Sequence, residues 1–215
     1  MNEDRVIPLF PLNLVLFPDM VLPLHIFEER YRTMIQDCLT GNGEFGIVYQ
    51  DGATIMNVGC TARIIKVLKR YGDGRMDILT AGSWRFHIEE LIEDKPYLEA
   101  RVATVTDREH ESVRELIDLA REGTRQLEEL QRYVRKGINL GNLARMELTD
   151  FSFIIAANDL FSSQEKQRFL EMEDTGERLR ESTASLKKVL WKLRVKGELK
   201  RLFSPGNDFS DENQH

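Results

Sequence analysis

Residues 6–31 read VIPLFPLNLVLFPDMVLPLHIFEERY. From Val6 to Phe27 this stretch is almost wholly apolar, with Asp19 its one formally charged side chain, and it holds Pro8, Pro11, Pro18 and Pro23, four of the six prolines in the chain. An apolar run of this length matches the needs of a membrane helix. The prolines argue against one. Each proline inside a helix removes a backbone hydrogen bond and clashes with the preceding turn, at about 3 kcal/mol or more. The stretch is therefore read as short extended pieces broken by turns: a strand over Val6–Leu9, an extended piece over Leu12–Phe17 and another over Met20–Leu24. Together they are expected to form the base of a β-rich domain.

The period then changes. Phe27, Tyr31, Met34, Ile35 and Cys38 recur at helical spacing, which predicts an amphipathic helix from Phe27 to Leu39, ended by Gly41-Asn42-Gly43. Strands are expected over Phe45–Gln50, Val58–Leu68, Met76–Thr80, Trp84–Ile92 and Tyr97–Val105. Tyr71–Arg75 is read as a hairpin turn, because Asp73-Gly74 supplies the positive φ such turns need. Many short strands with turns between them point to a small barrel or pseudo-barrel. Near Thr106 the composition shifts. A long charged helix is expected over Glu109–Lys136, a break at Gly137 and Gly141, and a short helix over Phe151–Leu160, apolar around most of its circumference. Ser162 with Glu165, and Asp174 with Glu177, have the spacing of capping boxes that open two more helices. The last of these carries Leu179, Thr183, Leu186, Leu190 and Leu193 at steps of four and three, the pattern of a helix–helix seam. The reading gives an α+β chain in three parts: a β-rich unit with one inserted helix over 1–106, a helical bundle over 107–203, and a polar, disordered tail over 204–215.

The net charge of -6 and pI near 5.4 argue against general affinity for nucleic acid, which needs a basic surface to neutralise phosphates. Cys38 and Cys60 make no disulfide framework and have no metal-ligand spacing, so they read as buried thiols. The acidic start MNEDR lacks the basic character of a signal peptide. A cytoplasmic location is expected.

Several longer segments resemble one known family, the Lon protease N-terminal domain, also called the Lon substrate-binding domain. The similarity lies in IPLFPLNLVLFPDMVLPLHIFEERYRTMI from Ile7, FGIV at 45–48, VGCTARI at 58–64, DGRMDILTAGSWRF at 73–86, PYLEARV at 96–102 and ANDLFSSQEKQRFLEMEDTGERL at 157–179. The resemblance implies a PUA-like pseudo-barrel followed by a helical bundle. In full Lon proteases an ATPase module and a serine–lysine protease follow. This chain has no G-x-x-x-x-G-K-[ST] loop, and the expectation is a stand-alone, non-catalytic relative. The resemblance also implies a module that selects and holds protein substrates, here unfolded or specific client segments.

Other chemistry is weaker. Gly41, Gly43 and Gly46 match G-x-G-x-x-G, but a helix precedes and a strand follows, the reverse of a nucleotide site. Ser163 with Lys166 and Ser185 with Lys188 match S-x-x-K on charged helices without an oxyanion site, and chance is the better account. His25, His87, His110 and His215 have no ligand partner at i+3 or i+4, so neither metal nor cofactor is expected. For the peptide surface the candidates are Phe27, Tyr31, Trp84, Arg85 and Phe86, placed between the β-rich unit and the bundle. The alternative is RNA binding through a basic patch of Lys187, Lys188, Lys192, Arg194, Lys196, Lys200 and Arg201. The bland reading makes these seven a solvated helix face, and makes Trp84 and Phe86 core packing beside a solvent-facing Arg85.

Overall fold

The computed structural model describes residues 5–108, 113–133 and 146–203, with side chains through Lys196. The order is β1 (Arg5–Leu12), β2 (Val21–Ile26), α1 (Glu29–Thr40), β3 (Glu44–Asp51), β4 (Thr54–Arg70), β5 (Met76–Ile92), β6 (Glu99–Val105), α2 (Val113–Leu130), α3 (Leu148–Ala156), α4 (Ser163–Glu171) and α5 (Thr175–Phe203). This is an α+β fold. The Gly137–Gly141 break and the 204–215 tail lie outside the described residues, as do the side chains of Lys200 and Arg201.

The six strands form one mixed sheet in the order β2-β5-β4-β3-β1-β6, and β6 also pairs with β5. That second pairing closes the sheet on itself. Strand β5 makes closure possible because it is a single strand of 17 residues and not the two short strands expected from the sequence. Its first part, Met76–Ala81, pairs with β2, and its second part, Arg85–Ile92, pairs with β6. The two parts meet at Gly82, where the chain has no room for a side chain: a Cβ there would stand 2.0 Å from the carbonyl oxygen of Phe17. Gly82 also exchanges backbone hydrogen bonds with Asp19 and Met20, so the loop after β1 is sewn onto the bend.

The closed part is filled by Ile7, Leu9, Val48, Phe86, Ile88, Ala100 and Val102. The Phe86 ring occupies space that Cβ atoms at Gly46 and Gly59 would take, at 2.7 and 2.5 Å. The alternate residues of the same strands face outward onto α1. Phe45, Ile47, Cys60, Ala62, Met76 and Ile78 pack there with Tyr31, Met34, Ile35 and Cys38. Period two in the strands and period near four in the helix thus meet across one core.

The opening stretch serves more than the base of the β unit. Leu12–Phe17, expected to be extended and strand-like, leaves the sheet after Leu12. Val15 and Phe17 enter the helical core instead, where Phe17 sits 6.1 Å from Phe153 with Leu127, Phe169, Leu179 and Leu186 in the same cluster. The expected seam on α5 is present, with Leu179, Thr183, Leu186 and Leu190 buried. Helix α4 opens on a full capping box between Ser162 and Glu165, and Asp174 Oδ1 accepts from the Glu177 amide at 2.8 Å.

Candidate functional site

The structure does not bring Phe27, Tyr31, Trp84, Arg85 and Phe86 onto one surface. Phe27 is 60% exposed at the junction of β2 and α1, stacked on His25. Tyr31 lies one turn into α1, mostly buried, against Phe10. Trp84 is half-buried at the margin of the barrel core, its Nε1 donating to Glu44 Oε1 at 3.1 Å. Phe86 is fully buried inside the barrel.

Arg85 corrects both readings of the sequence: it neither faces solvent nor lines an open groove. Its Nη1 donates to the carbonyls of Leu170 (2.7 Å) and Met172 (2.6 Å), and its Nη2 pairs with Asp107. Asp107 also takes Arg178 of α5 and the Thr175 hydroxyl. Arg178 is fully buried, donates from Nε to Ser152 Oγ at 2.7 Å, and lies 3.9 Å over the Phe153 ring. The place where the sheet meets the helices is therefore occupied by two guanidinium groups sharing one carboxylate. Burial pushes the Arg85 guanidinium below its ordinary pKa, and the charge of Asp107 works against that push.

An open concavity does exist beside α1. A cleft of about 380 Å3 lies between the start of α1 and the loop joining β5 to β6, lined by Pro11, Arg30, Tyr31, Gln50, Lys95 and Tyr97 among others. A shallower hollow of about 530 Å3 continues it along Glu28, Glu29 and Thr33, sharing Arg30 and Pro96. Its aromatic groups are held firmly. The Tyr97 hydroxyl donates to Asp37 Oδ2 at 2.7 Å, and burial followed by this bond pushes its pKa up. Burial does the same for Tyr31, with the Arg30 guanidinium 4.5 Å over its ring. Lys95 is held protonated above its ordinary value, first by its bond to Glu99. Tyr31 and Tyr97 are themselves buried, so the cleft presents chiefly Arg30 and Lys95, each paired with a carboxylate, together with Glu93 and the Gln50 amide, a polar lining that can meet peptide backbone and side chains. Of the residues named from the sequence only Tyr31 reaches it. Loop residues 95–97 escape sequence reasoning because nothing in KPYLEARV (95–102) marks a wall opposite α1.

The other candidates are placed as follows. On α5, Lys187, Lys188, Lys192 and Lys196 are exposed, but Arg194 is held by Glu129 of α2 through bonds of 2.6 and 2.5 Å. Trp191, which sequence reasoning passed over, is 62% exposed among these lysines. It lies four residues after Lys187 and three before Arg194, a spacing that could have flagged it. Cys38 and Cys60 are buried, and burial pushes both thiols up to about 12. Of the S-x-x-K lysines, Lys166 faces Asp159 at 3.6 Å. Gly41 caps α1 and Gly43 takes φ +74, a helix-ending role for the glycine motif. Among the described residues no cluster of metal-ligating side chains is present, and no helix is long and apolar enough to cross a membrane.

Comparison with known proteins gives one consistent neighbourhood. The family model for the ATP-dependent protease La (LON) substrate-binding domain matches residues 6–188. Lon protease 2 of Myxococcus xanthus is 32% identical over 201 residues, covering 83% of this chain and 23% of its own length. The Lon protease of Cytophaga hutchinsonii is 24% identical, covering 90% of this chain and 25% of its own. The chain thus spans about a quarter of the length of these curated relatives. Among solved structures, the Lon N-terminal domain protein from Xanthomonas campestris superposes with a TM-score of 0.66 at 22% identity, covering 84% of this chain and 98% of that one. The N-terminal domain of the Mycobacterium avium complex Lon protease does so with 0.69 at 21%, covering 85% and 98%.

Proposed function

Because the chain belongs to the Lon substrate-binding domain family, we propose that it is a protein-recognition module that holds unfolded or specific client segments without chemistry of its own. Residues 1–106 and 107–203 are its two parts on this reading. The observation that carries it is the cleft beside α1, where Tyr31, Tyr97, Arg30 and Lys95 converge on a space of about 380 Å3, enough for one or two peptide side chains. Phe27, exposed just before the helix, extends the contact surface toward β2. Titration of labelled peptides from an unfolded protein tests this, with Arg30→Ala, Lys95→Ala and Phe27→Ala alongside. Saturable binding weakened severalfold by these changes is expected. The absence of saturable binding by any apolar peptide set would overturn it.

RNA binding is the second reading, favoured by Trp191 standing exposed among Lys187, Lys188 and Lys192, since stacking and phosphate contact use such a pair of groups. The tie between Arg194 and Glu129 weakens it by neutralising one of the cations. It requires an affinity that falls steeply with salt and falls again on Trp191→Ala.

A further inference from the structure

Beyond Arg63, β4 has left β3 behind: the pairing of those two strands ends at Glu44 with Arg63. From there β4 runs on with β5 and β2 alone, as a ribbon whose register sorts its side chains into two faces. One set of rows, Ile64–Thr80–Leu22 and Val67–Ile78–Leu24, turns inward and packs with α1. The other set runs Arg63–Ala81–Val21, Lys66–Leu79–Pro23 and Lys69–Asp77–His25. Its β4 and β2 members are all exposed, and no described element covers them.

Two features of this face bear on what it could hold, and α5 shares the first, since Lys187, Lys188, Lys192 and Lys196 are exposed there too. The first is charge. Arg30, Arg75, Arg85, Lys95, Arg101, Arg178, Arg180 and Arg194 each have a carboxylate partner. Arg63 and Lys66 have no ion pair among the described residues. Lys69 lies 4.4 Å over the Tyr71 ring, while Asp77, its neighbour in the row, is taken by His25 Nδ1 (2.6 Å) and the Tyr71 hydroxyl (2.8 Å). The second is apolar exposure. Val21 (56%), Phe27 (60%), Ile65 (52%) and Leu68 (51%) all belong to the ribbon or its end. Lysines and bulges on an unpaired strand are common protection against unwanted strand pairing, and β4 has bulges at Ile64/Lys66 and Val67/Lys69. That protection accounts for the cations and the irregular edge. It gives no reason to leave Ile65 and Leu68 half in water at the bulge positions.

We propose that this ribbon face is a docking surface for an extended protein segment in which acidic side chains alternate with apolar ones. The cations in register at Arg63, Lys66 and Lys69 meet the acids, and Val21, Ile65, Leu68 and Phe27 meet the apolar groups. Nucleic acid would satisfy the cations and leave the aliphatic side chains wet. The inference rests on the protein-recognition reading and adds a surface distinct from the α1 cleft, with a stated chemistry for what binds there.

The test is fluorescence anisotropy with a short labelled peptide alternating Glu with Leu and Phe, and a second peptide with Lys in place of Glu. Arg63→Gln with Lys66→Glu is expected to weaken the acidic peptide about tenfold and to improve the basic one. Ile65→Ser with Leu68→Ser is expected to weaken the acidic peptide by a similar factor without changing its salt dependence. All four residues are exposed, and an unchanged melting temperature verifies folding. If the acidic peptide binds the wild type and loses affinity only on Arg30→Ala or Lys95→Ala, the ribbon assignment is overturned and the protein-recognition reading stands. If no peptide binds, both fall. Preferential binding of single-stranded RNA or of phosphatidylserine vesicles, abolished by Lys66→Glu, would also overturn the assignment.

Discussion

Removing the carboxylate of Asp107 tests what joins the sheet to the helices. Arg85 and Arg178 have side chains 3% and 0% exposed, and Asp107, 10% exposed, pairs with both. In Asp107→Ala two guanidinium groups remain buried with no counter-charge. They keep neutral acceptors: Leu170 and Met172 carbonyls for Arg85, Ser152 Oγ and the Met172 carbonyl for Arg178. These retained bonds hold the loss to the range usual for breaking a buried pair, about 3–5 kcal/mol, well below the desolvation of two bare ions. For a chain of this size that is a fall in melting temperature of roughly 6–20 °C. Thermal and urea unfolding followed by circular dichroism read both. Asp107→Asn keeps the shape and one acceptor and should lie between the wild type and the alanine variant. The combined change Arg85→Met, Asp107→Leu and Arg178→Met should recover most of the stability, because no buried charge is left. A loss under about 1 kcal/mol for Asp107→Ala would refute the reasoning.

Gly82→Ala places a methyl against the Phe17 carbonyl and is expected to cost about 3 kcal/mol or more, since the obstacle is backbone that cannot rotate away; near-normal urea stability would contradict this. Cys38 and Cys60, buried and with their thiols pushed up to about 12, should be inert to a disulfide reagent at pH 8 and react fully only after denaturation. Asp77 is held below its ordinary value, first by the bond from His25 and then by that from Tyr71. Folding thus favours its ionised form, so the contribution is present above the ordinary aspartate value and is lost as pH falls through the lowered one. His25→Ala should bring the Asp77 titration back up, as read from its carboxyl carbon shift, and an unmoved midpoint would sever the proposed link.

Much of the architecture was legible because it depends on local pattern. The apolar period of α1, the Asp73-Gly74 turn, the Ser162–Glu165 capping box and the leucine seam of α5 are all short-range signals. What escaped depends on pairing across the chain. The continuity of β5 through Gly82 follows from the docking of Phe17, which lies far earlier in sequence. Arg85 reads as an ordinary charged strand residue until Asp107 and Arg178 are brought to it. The cations Arg63, Lys66 and Lys69 are separated by pairs of apolar residues in TARIIKVLKR, a step that changes face in a regular strand, and only the bulges against β5 collect them onto one face. The cleft beside α1 was half legible: Tyr31 belongs to the helix pattern, while Lys95 and Tyr97 enter from a loop whose position is a tertiary fact.

The departure of Val15 and Phe17 from the sheet has a consequence for the order in which the molecule is made. Their neighbours, Phe153, Leu179 and Leu186, are synthesised long after them. The first half of strand β1 likewise waits for β6, since Arg5 pairs with Val102 and Pro8 with Glu99, while Leu9–Leu12 pair earlier with β3. At ribosomal speeds the interval between Phe17 and Phe153 is on the order of ten seconds. Until then Val15 and Phe17, in the most apolar stretch of the chain, lack the helical residues that cover them in the finished fold. The prolines at 8, 11, 18 and 23 keep it from settling into a helix or extending an aggregating strand in the meantime. They serve the nascent chain as much as the finished fold.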